Sequence, residues 1–172
     1  PCYRRTMSRR LALALAASLV TVSPALAAER SIAGVAEPYK TDAFDPDTDF
    51  MKAIDAALAD ARTSGKRVLL VMGTNGCHDS AWLANLIATD RFAPVREKYE
   101  IVFADIGMPQ VEGLGRNPEI PGRFGFMIKG TPTVAILDAD GHVLNRKAAP
   151  KWRNAASRSD DEIYAELMEE EE

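Results

Sequence analysis

A thiol, an imidazole, a carboxylate and a hydroxyl stand in a row at Cys77-His78-Asp79-Ser80, directly after the stretch Val68-Leu69-Leu70-Val71-Met72-Gly73-Thr74-Asn75-Gly76. The apolar run is of buried-strand type, the Gly/Asn break is a turn, and the pattern that follows is helical. Cys77 therefore sits at the start of a helix. Unpaired N–H groups there favour negative charge and bias the thiol toward the reactive thiolate. The chemistry open to such a thiolate is attack on a disulfide. His78, as imidazolium, would add to the stabilisation. Ser80, three residues on and on the same helical side, would donate a hydrogen bond to the sulfur. Asp79 opposes both, because a nearby carboxylate disfavours a second negative charge. The balance is a moderately acidic thiol.

Other combinations of these residues are weaker. Consecutive side chains at Cys77, His78 and Asp79 point in different directions and few further ligands follow, so no metal site is expected. His142 reads as a solvent-facing strand residue just past a turn, and nothing in the sequence brings it to Cys77 as a hydrolytic partner. Trp82 and Leu83 read as core or rim packing.

The chain has two cysteines, and Cys2 lies in a stretch that reads as an export signal. Met7-Ser8-Arg9-Arg10 is a basic start, Leu11 to Val22 an apolar run, and Pro24-Ala25-Leu26-Ala27 puts small residues at the two positions a signal peptidase reads. The run is short of the roughly 20 residues that span a bilayer. The expectation is cleavage near Ala27, with Met7 as initiator and residues 1–6 upstream of it. The paired arginines fit either a general or a twin-arginine signal. The exported protein, periplasmic or secreted, would hold Cys77 alone. No lipid-attachment cysteine follows the run, so no stable membrane anchor is expected. In an oxidising compartment a lone cysteine is either buried and inert or reactive toward outside partners, among them a second copy of the chain linked through Cys77.

Charge narrows the partners. Arg4, Arg5, Arg9 and Arg10 precede residue 28 and no acid does, so beyond it 17 basic residues face 25 acidic ones, a net charge of −8. That argues against a nucleic-acid partner. With 47% hydrophobic and 27% charged residues, the chain reads as one ordinary globular domain behind its signal.

The elements that must position Cys77 follow from periodicity. Residues 28–47 form an extended lead. Asp47-Thr48-Asp49 caps a helix with Phe50, Ile54, Leu58 and Ala61 on one face, ended by Ser64-Gly65. Arg67 to Met72 is a strand. The helix continues from Ser80 to about Thr89 with Leu83, Leu86 and Ile87 on its apolar face, Arg91 to Glu97 completes or follows it, and Ile101 to Ala104 is a second buried strand. Gly107 to Gly122 carries too many Gly and Pro breakers for a long helix and reads as a loop-rich insertion. After a short turn at Phe124 to Lys129 come a strand at Val134 to Leu137, a hairpin turn at Asp138 to Gly141 and a returning strand at His142 to Asn145. Ala148 to Ser157 reads as irregular. Ser159-Asp160-Asp161-Glu162 is a capping box that opens a final helix with Ile163, Tyr164, Leu167 and Met168 on one side. The second strand arrives through a helical crossover and so lies parallel to the first, while the hairpin pair is antiparallel. The fold class is α/β, a mixed central β-sheet flanked by helices on both faces.

From Asp49 to Leu167 the order and spacing of these pieces resemble the thioredoxin superfamily. The resemblance rests on the first strand, Cys77-His78-Asp79-Ser80, Asn117-Pro118-Glu119-Ile120-Pro121-Gly122-Arg123-Phe124-Gly125, Gly130-Thr131-Pro132-Thr133 and the Asp138 to Gly141 hairpin. It implies a thioredoxin-like domain over 48–172, with Cys77 as nucleophile. Thr131-Pro132 would be the family's cis-proline loop, which faces the cysteine and helps hold an extended substrate, and the substrate-binding residues would be Thr131, Pro132 and Asp79. The sequence departs from the family at Ser80, where a resolving cysteine is usual, at Gly76 in place of an aromatic residue, at Val71 in place of a buried acid, and in the length of Gly107 to Arg116.

Ser80 cannot release a mixed disulfide. Turnover therefore needs an outside thiol such as glutathione, or a second substrate cysteine, and no other cofactor. This suits isomerisation of protein disulfides or deglutathionylation better than net reduction. The competing expectation is a redox-inactive binding or chaperone-like module. The 107–122 insertion, near the cysteine face by analogy, would act as a lid or a recognition loop.

Overall fold

Strand β1, Arg67–Gly73, sorts its side chains by parity. Val68, Leu70 and Met72 enter one apolar core, and Leu69 and Val71 enter another. This is the period of two expected of a strand buried on both faces. β1 is the centre of a three-stranded sheet in the order β2-β1-β3. β2, Tyr99–Asp105, runs parallel to it, with Arg67 opposite Tyr99 and Gly73 opposite Asp105. β3, Thr133–Leu137, runs antiparallel, with Val68 opposite Leu137 and Met72 opposite Thr133. The computed structural model describes residues 30–169. Cys2, the apolar run and the cleavage point expected near Ala27 lie outside the described residues. Among the described residues no helix is long and apolar enough to cross a membrane.

Helix α1, Phe50–Ser64, covers the face of Val68, Leu70 and Met72 with Phe50, Ile54, Ala57, Leu58 and Ala61. The Asp49 carboxylate accepts the Lys52 N–H at its start. At its end Gly65, in the left-handed region at φ 74°, donates its N–H to the Ala61 carbonyl. The opposite face is covered by α2, His78–Ala88, α3, Ala93–Lys98, a 3₁₀ helix, Ala149–Ser157, and α5, Asp160–Met168. Both halves of the Ser159/Glu162 capping box form at α5, and the Tyr99 hydroxyl donates to the Leu167 carbonyl at 2.8 Å to dock it. The mixed sheet with helices on both faces is the expected architecture.

Four segments differ from the sequence expectations. The lead is a run of turns rather than an extended strand. It buries Ile32 and Phe44 and is strapped along α2, where Asn85 Nδ2 donates to the carbonyls of Pro38 (3.0 Å) and Lys40 (2.8 Å). Within the insertion, Glu119–Arg123 forms the short helix α4, in which Pro121 occupies the first turn, where its missing N–H would have no intrahelical partner. Ala149–Ser157 is helical in two pieces around Asn154, because Trp152, Ala155 and Ala156 all have core to fill. The returning strand shrinks to a bridge between Leu137 and Val143. There the ladder is completed by a side chain: Asn145 Oδ1 accepts the Ile136 N–H at 2.9 Å and Nδ2 donates to the Val134 carbonyl at 3.0 Å.

The hairpin turn carries a pH-dependent contact. Asp138 Oδ1 accepts the N–H groups of Asp140 and His142, and Oδ2 lies 2.8 Å from His142 Nδ1. The side-chain hydrogen bond to Asp138, with its charge, raises His142 above its ordinary 6.5. Desolvation pushes Asp138 up, but the hydrogen bonds from His142 and Asp140 outweigh it and hold the carboxyl below 3.8. The raised histidine contributes stability below pH 6.5 that is lost as pH climbs through its folded value. The lowered aspartate contributes above pH 3.8 and loses it as pH falls through its folded value. His142→Gln is therefore expected to flatten the fall in urea midpoint between about pH 6 and pH 8. An identical pH profile in variant and native chain would contradict the contact.

Candidate functional site

Two strand ends deliver the site. Past β1 the chain turns through Thr74-Asn75-Gly76, and the Cys77 N–H donates to the Thr74 carbonyl at 3.1 Å. Cys77 is the N-cap of α2, extended at φ −100° and ψ 120°, and makes no side-chain cap. Its carbonyl accepts the Ala81 N–H at 2.9 Å, so the first-turn amides of His78, Asp79 and Ser80 have no intrahelical acceptor. Thr133 of β3 lies opposite Met72 of β1, which carries the preceding Thr131-Pro132 segment to the same end of the sheet. The Thr131–Pro132 bond is cis. The half-buried Cys77 thiol donates to the Thr131 carbonyl at 3.2 Å.

The other expected residues are placed differently from one another. Ser80 is fully buried, and its hydroxyl has no hydrogen-bond partner. The hydrogen bond expected from Ser80 to the sulfur is not formed, and the thiol proton goes to Thr131 instead. Ser80 Oγ lies against Gly73, where a Cβ would come within 2.6 Å of it and 2.9 Å of the Phe44 ring. Thr131 Oγ1 is likewise buried without a partner. The exposed His78 ring stacks on Tyr39, centroids 3.9 Å apart at 13°, and Tyr39 in turn lies 5.3 Å from Trp82. Asp79 Oδ1 accepts the Ala156 N–H at 2.9 Å, so one oxygen of the expected substrate-binding carboxylate fixes the 3₁₀ helix to the start of α2. His142 belongs to the opposite end of the sheet: its turn follows Leu137, which faces Val68, about 13 Å of strand from Met72. Among the described residues no group of three or more His, Cys, Asp or Glu side chains could hold a metal ion.

Several site residues had no local signal in the sequence. Asn75 holds the lead in place by accepting the Phe44 N–H and donating to the Phe44 carbonyl, both at 3.1 Å. Tyr39 reaches His78 from the same lead. Asp105, buried at the end of β2, accepts the Gly107 N–H at 2.9 Å and pairs with Arg116 at 2.7 Å. Residues 107–115 close as a hairpin, with Gly107 bridged to Gly115 and the Met108 N–H donating to the Leu114 carbonyl at 2.7 Å. Gly107 is required there: at φ 61°, a Cβ would come within 2.1 Å of the Leu114 carbonyl oxygen. Between this hairpin and the lead opens a cleft of about 290 Å³ that ends at Thr74, Asn75 and Gly76.

Comparison with known proteins agrees with this geometry. A family model described as thioredoxin-like matches residues 49–139. The fold is similar to the crystal structure of a disulphide isomerase from Xylella fastidiosa Temecula1, at 27% identity and a TM-score of 0.64, over 72% of this chain and 92% of that one. No curated protein matches the sequence.

Proposed function

Since this chain belongs to the thioredoxin-like family, we propose that it carries out monothiol thiol–disulfide exchange through Cys77, of isomerase or deglutathionylation type. The observation that carries the reading is the half-buried Cys77 thiol at the start of α2, facing the Thr131-Pro132 loop, with serine three residues on. The structural likeness to a disulphide isomerase supports the exchange chemistry.

The Cys77 thiolate attacks one sulfur of a substrate disulfide. A new sulfur–sulfur bond forms to Cys77, the substrate bond breaks, and the departing sulfur leaves as a thiolate that takes up a proton. As Cys77 ionises it loses the proton it gives to Thr131, and its place at the N-terminus of α2 favours the resulting negative charge. Ser80 cannot expel the bound partner. Release comes from a second thiolate, either the substrate's own, which isomerises it with no net redox change, or an external thiol such as glutathione. The expected export places this chemistry in the periplasm or outside the cell, where disulfides persist.

The test is recovery of activity by a scrambled disulfide-bonded enzyme in a glutathione redox buffer. The native chain is expected to speed recovery, and Cys77→Ser to leave the buffer-only rate. A native chain no faster than buffer would overturn the reading in favour of a redox-inactive binding module.

A further inference from the structure

The cleft beside Gly76 is built by two segments the exchange step does not use. Phe44 and Pro46 of the lead form one wall, and Met108 and Leu114 of the 107–115 hairpin form the other. Its volume of about 290 Å³ lies just below the roughly 300–1,000 Å³ of sites that enclose small-molecule ligands, which leaves room for one or two side chains. Arg116 also lines the cleft with an exposed side chain, and its charge is matched by the buried Asp105 at 2.7 Å. Exposed acids flank the wall residues along the chain: Asp45 and Asp47 on either side of Pro46, and Glu112 two residues before Leu114. Leu114 is 46% exposed, apolar surface that an occupant would cover.

We propose that this cleft receives an apolar side chain adjacent to the attacked cysteine of a polypeptide disulfide, in a neutral or cationic stretch. The proposal rests on the exchange reading and names its substrate class. Gly76 both lines the cleft and precedes Cys77, while Thr131 flanks the sulfur through its carbonyl. A polypeptide crossing Cys77 thus has an apolar recess beside it. An aliphatic or aromatic side chain there loses water against Pro46, Met108 and Leu114, over the buried Phe44 ring. Glutathione disulfide carries no large apolar side chain to fill the recess, and its carboxylates meet a chain whose exposed residues flanking these walls are acidic, so it is the poorer substrate.

The experiment measures the rate at which the reduced full chain forms a mixed disulfide with four probes. These are neutral dipyridyl disulfide, glutathione disulfide, and two otherwise identical peptide disulfides with leucine or serine beside the cysteine. The leucine peptide is expected to react roughly tenfold faster than the serine peptide, the ratio that partial burial of one leucine supplies. Glutathione disulfide is expected to be slower than both. In Leu114→Asp the leucine-to-serine ratio is expected to fall toward one. Gly76→Val is an independent second variant, since no atom lies within 4 Å of an added Cβ there, and it is expected to lower the same ratio by obstructing the mouth. Dipyridyl disulfide reacting while the two peptides react equally, or a ratio that survives both variants, overturns the cleft proposal and leaves the exchange reading standing. No reaction with any probe overturns both.

Discussion

Ser80→Cys is expected to shorten the life of a mixed disulfide on Cys77 by about three orders of magnitude. Positions 77 and 80 are the N-cap and third residue of α2, the pair that a capping box bridges. The capping box shows that the N-cap and the third residue reach one another across the helix start, and a disulfide closes where Cα atoms lie within roughly 4.4–6.8 Å. The introduced thiol would be tethered beside the adduct. Even an effective concentration of about 10 M, far below that of well-oriented groups, exceeds a few millimolar external thiol by about a thousandfold. Gly73 leaves space at this position because it has no Cβ, although the site is tight. The native chain would hold a peptide adduct until outside thiol arrives. The variant would release the peptide as a thiol and become two hydrogens lighter than its reduced form, which intact mass resolves. An adduct that accumulates equally in both chains would contradict the assignment of Ser80 to the resolving position.

Asn145→Leu is expected to destabilise the fold by roughly 2–5 kcal/mol, a large share of the roughly 5–15 kcal/mol of a typical domain. Asn145 is 4% exposed and supplies both the acceptor for the Ile136 N–H and the donor for the Val134 carbonyl. Leucine keeps nearly the same volume, so the loss comes from two buried backbone groups left unpaired, each costing about 1–3 kcal/mol, and not from a cavity. The effect falls on β3, the strand that carries Thr131-Pro132 to Cys77. Urea unfolding should show a lower midpoint with an unchanged slope. A loss below about 1 kcal/mol would show that water or a shifted strand end replaces the amide.

That amide also marks where the sequence stops being legible. The parity of Val68 to Met72, the Asp49 and Gly65 ends of α1 and the Ser159/Glu162 box are local patterns, and each produces the element it signals. The end of the hairpin is different. Alternation at 142–145 reads as a strand, yet a side chain completes the ladder in place of backbone, and periodicity carries no sign of that exchange. The lead has the same difficulty. Phe44 and Tyr39 matter because Asn75 and His78 hold them, at separations of 31 and 39 residues, beyond any local pattern.

At the site, Cys77 and the Thr131-Pro132 loop were visible through motif order, and the structure brings them to 3.2 Å. The hydrogen bond expected from Ser80 to the sulfur is not formed, for a geometric reason. Spacing of three implies a shared helical side only when both residues are helical, and Cys77 is an extended N-cap at φ −100°. Its sulfur turns to the Thr131 carbonyl, while the Ser80 hydroxyl stays packed behind Gly73. The insertion was legible as too rich in Gly and Pro for a long helix, but its closure into a hairpin over the Asp105–Arg116 pair was not.

The most direct measurement is the intact mass of the freshly reduced chain after brief exposure to a peptide disulfide and an acid quench, with fragmentation to locate the modification. The expected result is a single peptide adduct on Cys77, reversed by reductant and absent from Cys77→Ser. A native chain that stays unmodified under conditions where free cysteine is fully exchanged would contradict nucleophilic exchange at Cys77.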